Sequence, residues 1–408
     1  MKNYVLIGAG VAAVGAAEGI RSVDKDGVIY MISSEERPAY CRPLISYYLE
    51  GRTDPEKMKY RPDSFYPEMK CELVYGRADK IDPDGRCVYI GKRRLPYSEL
   101  CIVTGARPVS LPIPGKEDVV EKFYFMTEDD AKGLKNSLEG CKKSVLILGA
   151  GLIGLKCAEG IHGMAGDIIV VDLAPGVLSS ILDDEPQAII QRKLEENGIK
   201  FILGDSIDRF ENNTAVTKGG KRIPFDVFVE AVGVRPDTEL VKDMGIVNRG
   251  IVTDTAMRTE IEHIYAAGDV AEGYDSSTGA NGILALLPNA YMHGYTAGVN
   301  MAGGSAVYDD AIPMNAIGFF GLHALTAGRY TGEAFVNKTE KTLKRLFFDG
   351  GRLAGFMIVG EDVNGAGIYT SLVRSKTVLT EEQRRELEIS PTLSVFDAAL
   401  RKQKLGGL

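Results

Sequence analysis

The chain has 408 residues, 45% of them hydrophobic, and carries a net charge of -8. Its length exceeds what one hydrophobic core serves and implies two or three domains. The acidic balance leaves no basic excess to neutralise phosphates, which argues against general nucleic-acid or anionic-membrane binding. Cys41, Cys71, Cys87, Cys101, Cys141 and Cys157 include no Cys-x-x-Cys pair, which excludes the usual zinc and iron–sulfur spacings and points to reduced thiols in a cytoplasmic setting. The N-terminal run, with Lys2 ahead of apolar residues, could pass for a signal peptide, but it contains a glycine fingerprint and the fold pattern continues beyond it. No apolar run reaches the roughly 18 to 20 residues needed to span a bilayer.

Tyr4-Val5-Leu6-Ile7 breaks into Gly8-Ala9-Gly10-Val11-Ala12-Ala13 and then into a helix-compatible stretch. A buried parallel strand reads as unbroken apolar residues. The glycines allow a tight turn and close approach to a pyrophosphate, whose charge is stabilised by free N–H groups at the helix start, and Ala13 stands in for the third glycine. Val28 to Ile32 is a second apolar run, followed by Glu35 and Glu36, one of them placed to accept from an adenosine ribose hydroxyl.

Next comes Arg37-Pro38-Ala39-Tyr40-Cys41-Arg42-Pro43-Leu44, in which Arg42 is a candidate partner for the pyrophosphate. Cys71 to Asp82 and Arg86 to Ile90 alternate about the turn Pro83-Asp84-Gly85 and predict small antiparallel strands. Leu100 to Val103 is a buried strand running into Thr104-Gly105-Ala106-Arg107-Pro108, and the prolines after it mark a domain boundary.

The pattern then repeats. Val145-Leu146-Ile147-Leu148 leads into Gly149-x-Gly151-x-x-Gly154, and Ile168 to Asp172 closes a second unit that ends on Gly233-Val234-Arg235-Pro236. Two such units imply two dinucleotides, one held tightly, such as FAD, and one that comes and goes, such as NADH. Asp172 would accept from a ribose 2′-hydroxyl and repel a 2′-phosphate, which favours NADH.

After the second unit, Ile264 to Ala267 predicts a strand with Gly268 and Asp269 at its carboxyl end, where ligands of open parallel sheets lie. Leu287-Pro288-Asn289 reads as another helix start, whose N–H groups could face the electron-rich end of a flavin. From about residue 306 the chain is nearly neutral and strand-rich, with Gly turns, as an α+β domain. Lys338, Lys341, Lys344 and Arg345 there form either a docking patch for an acidic protein or a solvated face. The expected fold is α/β: two Rossmann-like three-layer dinucleotide-binding domains, FAD-binding over 1–112 with 235–305 and NAD-binding over 113–234, plus a C-terminal α+β interface domain over 306–408.

The four motifs at Gly8–Ala13, Thr104–Pro108, Gly149–Gly154 and Tyr265–Asp269 together resemble the pyridine nucleotide-disulfide oxidoreductase superfamily. The segment Tyr40 to Leu44 is similar to the branch holding NADH:rubredoxin reductases, ferredoxin reductases, apoptosis-inducing factor and the flavin portion of nitrite reductases. The resemblance implies that Glu35 and Arg42 contact FAD, that Asp269 holds its ribityl chain and that the backbone at Leu287 and Pro288 approaches the flavin. The expected cofactor-contacting set also takes in Val11, Ala12, Ala78, Thr104, Gly105, Arg107, Ile153, Gly233 and Gly268. Ferredoxin reductases and apoptosis-inducing factor commonly carry a lysine where this chain has Tyr47, which puts it closer to the rubredoxin and nitrite reductase side, and relatives commonly carry a glutamate where it has Lys156.

The implied reaction is hydride transfer from NADH to the flavin, then single-electron transfer to a rubredoxin- or ferredoxin-like protein or a partner subunit, in a chain that could form homodimers. No protein acid or base is essential, so no catalytic residue is assigned, with Cys41 and Tyr47 as candidates near the flavin. The rival is a cysteine-dependent NADH oxidase, peroxidase or coenzyme A disulfide reductase. Their reactive cysteine falls at Pro43 by position, and Cys41 lies two residues earlier, about 6.5 Å along an extended chain. An NADH-sensing binding protein is a third alternative. His162, His263, His293 and His323 have no metal-ligand spacing and are taken as structural, with no metal site expected.

Overall fold

The computed structural model describes residues 1–396, 398, 401 and 402. They divide into two compact units. Met1–Ile181, Gly198–Tyr274 and Ala280–Asp309 form the first; Leu182–Asn197, Asp275–Gly279 and the chain from Asp310 onward form the second.

Two five-stranded sheets with all-parallel pairing lie in the first unit. One has the strand order Ile264–Ala266, Glu99–Ile102, Asn3–Ile7, Val28–Ser33, Cys71–Tyr75. The other runs Lys122–Phe123, Val227–Glu230, Val145–Leu148, Ile168–Asp172, Ile199–Leu203. The two orders correspond strand for strand, and in each the central strand feeds a glycine turn. These central strands are buried along their length, which is why they read as unbroken apolar runs. Cys71–Tyr75 departs from the sequence reading: it is the outer parallel strand of the first sheet, not an antiparallel one. Paired on one side only, it is partly covered, and its sequence alternates like that of a half-exposed strand. The antiparallel set is Lys80–Asp82, Cys87–Ile90 and Arg93–Pro96.

Two helices pack on the first sheet, Val11–Val23 after the first glycine turn and Leu287–Met301 after the last strand, burying Ala13, Ala16, Ile20, Ala297 and Met301 against Tyr4, Leu6, Ile29 and Met31. They cross with backbone against backbone. A methyl at Gly294 would stand 1.9 Å from the Ala12 carbonyl oxygen, one at Gly298 2.1 Å from that of Ala16, and one at Gly19 2.2 Å from that of Tyr295. Glycines four residues apart share one helix face, so Gly15 and Gly19 on one helix mesh with Gly294 and Gly298 on the other.

The second unit holds an antiparallel sheet in the order Met314–Phe319, Leu322–Gly328, Arg352–Gly360, Leu343–Asp349, Glu333–Lys338. Helices Ala366–Ser375 and Glu381–Ile389 accompany it, and Leu346, Phe356, Tyr369, Leu372 and Phe396 form its core. The basic residues expected to make a docking patch or a solvated face are largely paired within the unit. Arg345 is buried against Asp183 and Glu185, Lys338 pairs with Glu185, and Lys344 donates to the Glu388 carbonyl at 2.9 Å.

Among the described residues no helix is long and apolar enough to cross a membrane, and no group of three His, Cys, Asp or Glu side chains could hold a metal ion.

Candidate active site

The two glycine turns are built alike. Gly8 and Gly149 have φ of 124° and 117°, which a side chain rarely tolerates. A methyl at Gly8 would lie 2.2 Å from the Val103 carbonyl oxygen and one at Gly149 2.3 Å from that of Ala231. The N–H of Gly8 donates to Ile32 at 2.9 Å and that of Gly149 to Val171 at 2.8 Å. Gly10 and Gly151 each precede a helix with no side-chain cap, and nothing lies within 4 Å of where their Cβ would stand. That leaves free N–H groups facing open space, the donor set a diphosphate needs. Val11 and Ala12 open the first helix, as Leu152 and Ile153 open the second. The third positions differ for a steric reason. Ala13 packs in the core, whereas a methyl at Gly154 would be 2.0 Å from the Gly149 carbonyl oxygen.

Of the two acids after Val28–Ser33, Glu36 is exposed and Glu35 is engaged. Arg42 pairs with Glu35 at 2.5 Å, and the Tyr40 hydroxyl donates to its other oxygen at 2.8 Å while accepting from the Glu128 N–H at 3.0 Å. Tyr40 is therefore a positioning residue that the sequence reading passed over, although it stands inside the quoted motif. In the second turn Asp172 accepts from the N–H of Ala150 at 2.6 Å and of Ala174 at 2.8 Å, so its carboxylate organises the turn.

Gly268 follows the last strand of the first sheet with φ of 78°, and its missing Cβ would meet those of Ala12 at 3.0 Å and Ala290 at 3.6 Å. It thereby sets Asp269 between the starts of the two crossing helices. Leu287 and Pro288 are the first residues of the returning helix, and Pro288 is exposed. No described residue hydrogen-bonds the Asp269 side chain. Burial pushes this carboxyl above its ordinary value, with Arg42 partly offsetting the shift. An acid whose pKa is raised in the folded state binds protons more tightly folded than unfolded, so stability falls as pH rises from the ordinary 3.8 through the raised value. That cost grows as pH rises through the raised value. Asp269→Asn is expected to raise the melting temperature of deflavinated protein at pH 7 by about 2 °C or more, with the gain fading toward pH 3. The same change should weaken FAD binding by about tenfold or more, the loss expected of a charge-assisted bond if Asp269 holds a ribityl hydroxyl as the resemblance implies. Calorimetry against pH and fluorimetric FAD titration check the two halves.

The remaining expected residues fall in two places. Thr104 donates its hydroxyl hydrogen to the Asp237 carbonyl at 2.8 Å, and Gly105, with φ of 72°, opens a two-stranded ribbon, Ala106–Pro108 against Val234–Pro236. Arg107 in that ribbon faces Glu239 at 3.4 Å and Asp237 at 3.7 Å, and Gly233 lies just before it with φ of 109°. Ala78 is buried beyond the outer strand of the first sheet.

Tyr47 and Lys156, two separate departures in the sequence, are in contact. The Lys156 ammonium lies 5.3 Å from the Tyr47 ring centre, and Arg52 covers the ring at 4.2 Å. Lys156 also pairs with Glu159. Helix Ile45–Leu49 reaches helix Leu152–Ile161 at Gly160, where a methyl would stand 3.1 Å from the Ser46 carbonyl oxygen. This contact joins the first module to the start of the second. Cys41 precedes the single turn Arg42–Leu44, and burial pushes its thiol up, the reverse of what an attacking thiolate needs.

Residues 2–294 match the family described as pyridine nucleotide-disulphide oxidoreductase. The NADH-dependent phenylglyoxylate dehydrogenase subunit epsilon of Aromatoleum evansii is 30% identical over 406 residues, covering 94% of each chain. A rubredoxin-NAD(+) reductase of Alcanivorax borkumensis is 30% identical over 280 residues, 67% of this chain and 73% of its own. The structure of a covalent putidaredoxin reductase–putidaredoxin complex aligns with a TM-score of 0.86 at 22% identity, covering 95% of this chain and 98% of that one.

Proposed function

Because the chain belongs to the pyridine nucleotide-disulphide oxidoreductase family, we propose that it passes electrons from NADH through FAD to a small rubredoxin- or ferredoxin-like protein or to a partner subunit. It is an FAD-dependent NADH oxidoreductase. The observation that carries the reading is the convergence, at one end of the first sheet, of the open turn at Gly10, the Glu35–Arg42 pair, the unpartnered Asp269 and the start of helix Leu287–Met301.

When bound, FAD accepts a hydride and gives up electrons singly, chemistry that belongs to the cofactor. The chain binds and orients. The N–H groups after Gly10 take the FAD diphosphate, Glu35 the adenosine ribose, Arg42 the diphosphate charge and Asp269 a ribityl hydroxyl. The start of helix Leu287–Met301 offers its positive end to the flavin. The turn at Gly151 takes the diphosphate of NADH and Asp172 its ribose. This assigns 1–112 with 235–305 to FAD, 113–234 to NADH and 306–408 to an interface domain, in a cytoplasmic protein.

The test is anaerobic titration of the yellow protein with NADH under visible absorption. One equivalent per FAD should bleach the flavin, and Cys41→Ser should behave as wild type in both bleaching and turnover with a carrier protein, because its raised thiol supplies no thiolate. Consumption of two equivalents through a thiolate-to-flavin charge-transfer band, lost in Cys41→Ser, would establish the oxidase, peroxidase or disulfide-reductase reading instead.

A further inference from the structure

The second unit contains a cavity of about 620 Å³ between strands Met314–Phe319 and Leu322–Gly328 and helix Ala366–Ser375. Its volume lies in the range of small-molecule sites, roughly 300 to 1,000 Å³. Met314, Leu325 and Phe356 make it apolar on one side. Asn315 and Thr326 line it already bonded to each other at 3.2 Å, and the Thr370 hydroxyl is satisfied by the Ala366 carbonyl at 2.9 Å.

Arg374 is the exception. It lines the same cavity, is only partly exposed, and its Nε is buried without an acceptor. Among the described residues it forms no ion pair and no hydrogen bond, and Asp310, the one carboxylate lining the cavity, does not pair with it. A guanidinium stays charged at every accessible pH and presents a planar fork of donors. Burying part of it unpaired costs free energy that an anion would recover. Its place in the last turn of the helix suits a cation, but that field supplies no acceptor for Nε.

We infer that this cavity binds a small carboxylate with a compact apolar body, the carboxylate on Arg374 and the body against Met314, Leu325 and Phe356. The inference is independent of the nucleotide chemistry, since every residue it uses belongs to the second unit. A carboxylate fits the fork with two parallel bonds, and the apolar side excludes a bare hydrated ion as the preferred occupant.

The experiment is thermal unfolding of the full-length holoprotein in low-salt buffer with benzoate and hexanoate as probes, and benzamide and inorganic phosphate as controls. A ligand that binds only the folded state raises the melting temperature with its concentration. The carboxylates are expected to do so while benzamide and phosphate do not. Arg374→Met should abolish the shift while melting at or above wild type without probe, because an unpaired cation has been removed. Arg374→Lys, which keeps the charge and loses the fork, should shift less than wild type, and NADH-dependent dye reduction should be unchanged in both variants. The inference falls if neither carboxylate shifts the wild type, if phosphate matches them, if the shift survives in Arg374→Met, or if that variant melts several degrees low, which would make the guanidinium structural.

Discussion

Gly294→Ala is expected to yield protein that purifies largely without FAD and melts well below wild type. The added methyl would stand 1.9 Å from the Ala12 carbonyl oxygen and 2.8 Å from its carbon. Backbone lies on both sides of the contact, so no side chain can swing away. Overpacking a core costs about 1 to 3 kcal/mol when side chains can adjust, and here the helices themselves must part. Helix Val11–Val23 carries the first glycine turn at its start, and helix Leu287–Met301 begins beside Asp269. Widening their separation therefore moves both ends of the proposed FAD site at once. Flavin absorbance per protein and calorimetry measure the effect. Gly163→Ala, where a methyl meets nothing within 4 Å, should leave both unchanged. Full flavin occupancy and an unaltered melting temperature in Gly294→Ala would contradict the packing argument.

The second large effect is expected on the nucleotide that exchanges. Asp172→Ala removes the acceptor of two turn N–H groups, Ala150 and Ala174, together with the group assigned to the ribose. Hydrogen bonds to a charged partner contribute about 1.5 to 3 kcal/mol each, so kcat/KM for NADH should fall on the order of a hundredfold, chiefly through KM. The loss of charge should also narrow the preference for NADH over NADPH, since repulsion of the 2′-phosphate disappears. FAD content should not change, because Asp172 lies outside the first sheet and its turn. Steady-state kinetics with both nucleotides decides the matter; equal losses for NADH and NADPH would mean that Asp172 only shapes the turn.

Most of this architecture is legible in the amino-acid order because its signals are local. A fully buried parallel strand has no polar face, so Val5–Ile7 and Val145–Leu148 announce themselves, and the glycines after them are forced by contacts with Val103 and Ala231. Cys71–Tyr75 misleads because an outer strand is partly exposed and imitates an antiparallel one. What stays hidden depends on partners far apart in sequence. The meshing of Gly15 and Gly19 with Gly294 and Gly298 has a visible half-signal, the four-residue spacing in each helix, but nothing in either helix names the other. Lys338 and Arg345 look unpaired until Asp183 and Glu185 arrive beside them. Tyr47 and Lys156 are each legible as single residues, but that the Lys156 ammonium lies over the Tyr47 ring depends on segments far apart in sequence.

The strand Ile264–Ala266 pairs only with Glu99–Ile102 in the first sheet, and the whole second sheet lies between them in the chain. During synthesis the parallel sheet that begins first is thus completed after the second one. The second sheet draws all its strands from the stretch 122–230 and can close while the first sheet still lacks its outer strand and Asp269. Its long-range pairing carries the greater loop-closure cost and is the slower step to form. Until it forms, the nascent chain presents an unpaired sheet edge at Glu99–Ile102, which makes this stage of assembly the one most exposed to misassociation and gives early FAD capture no complete site to act on.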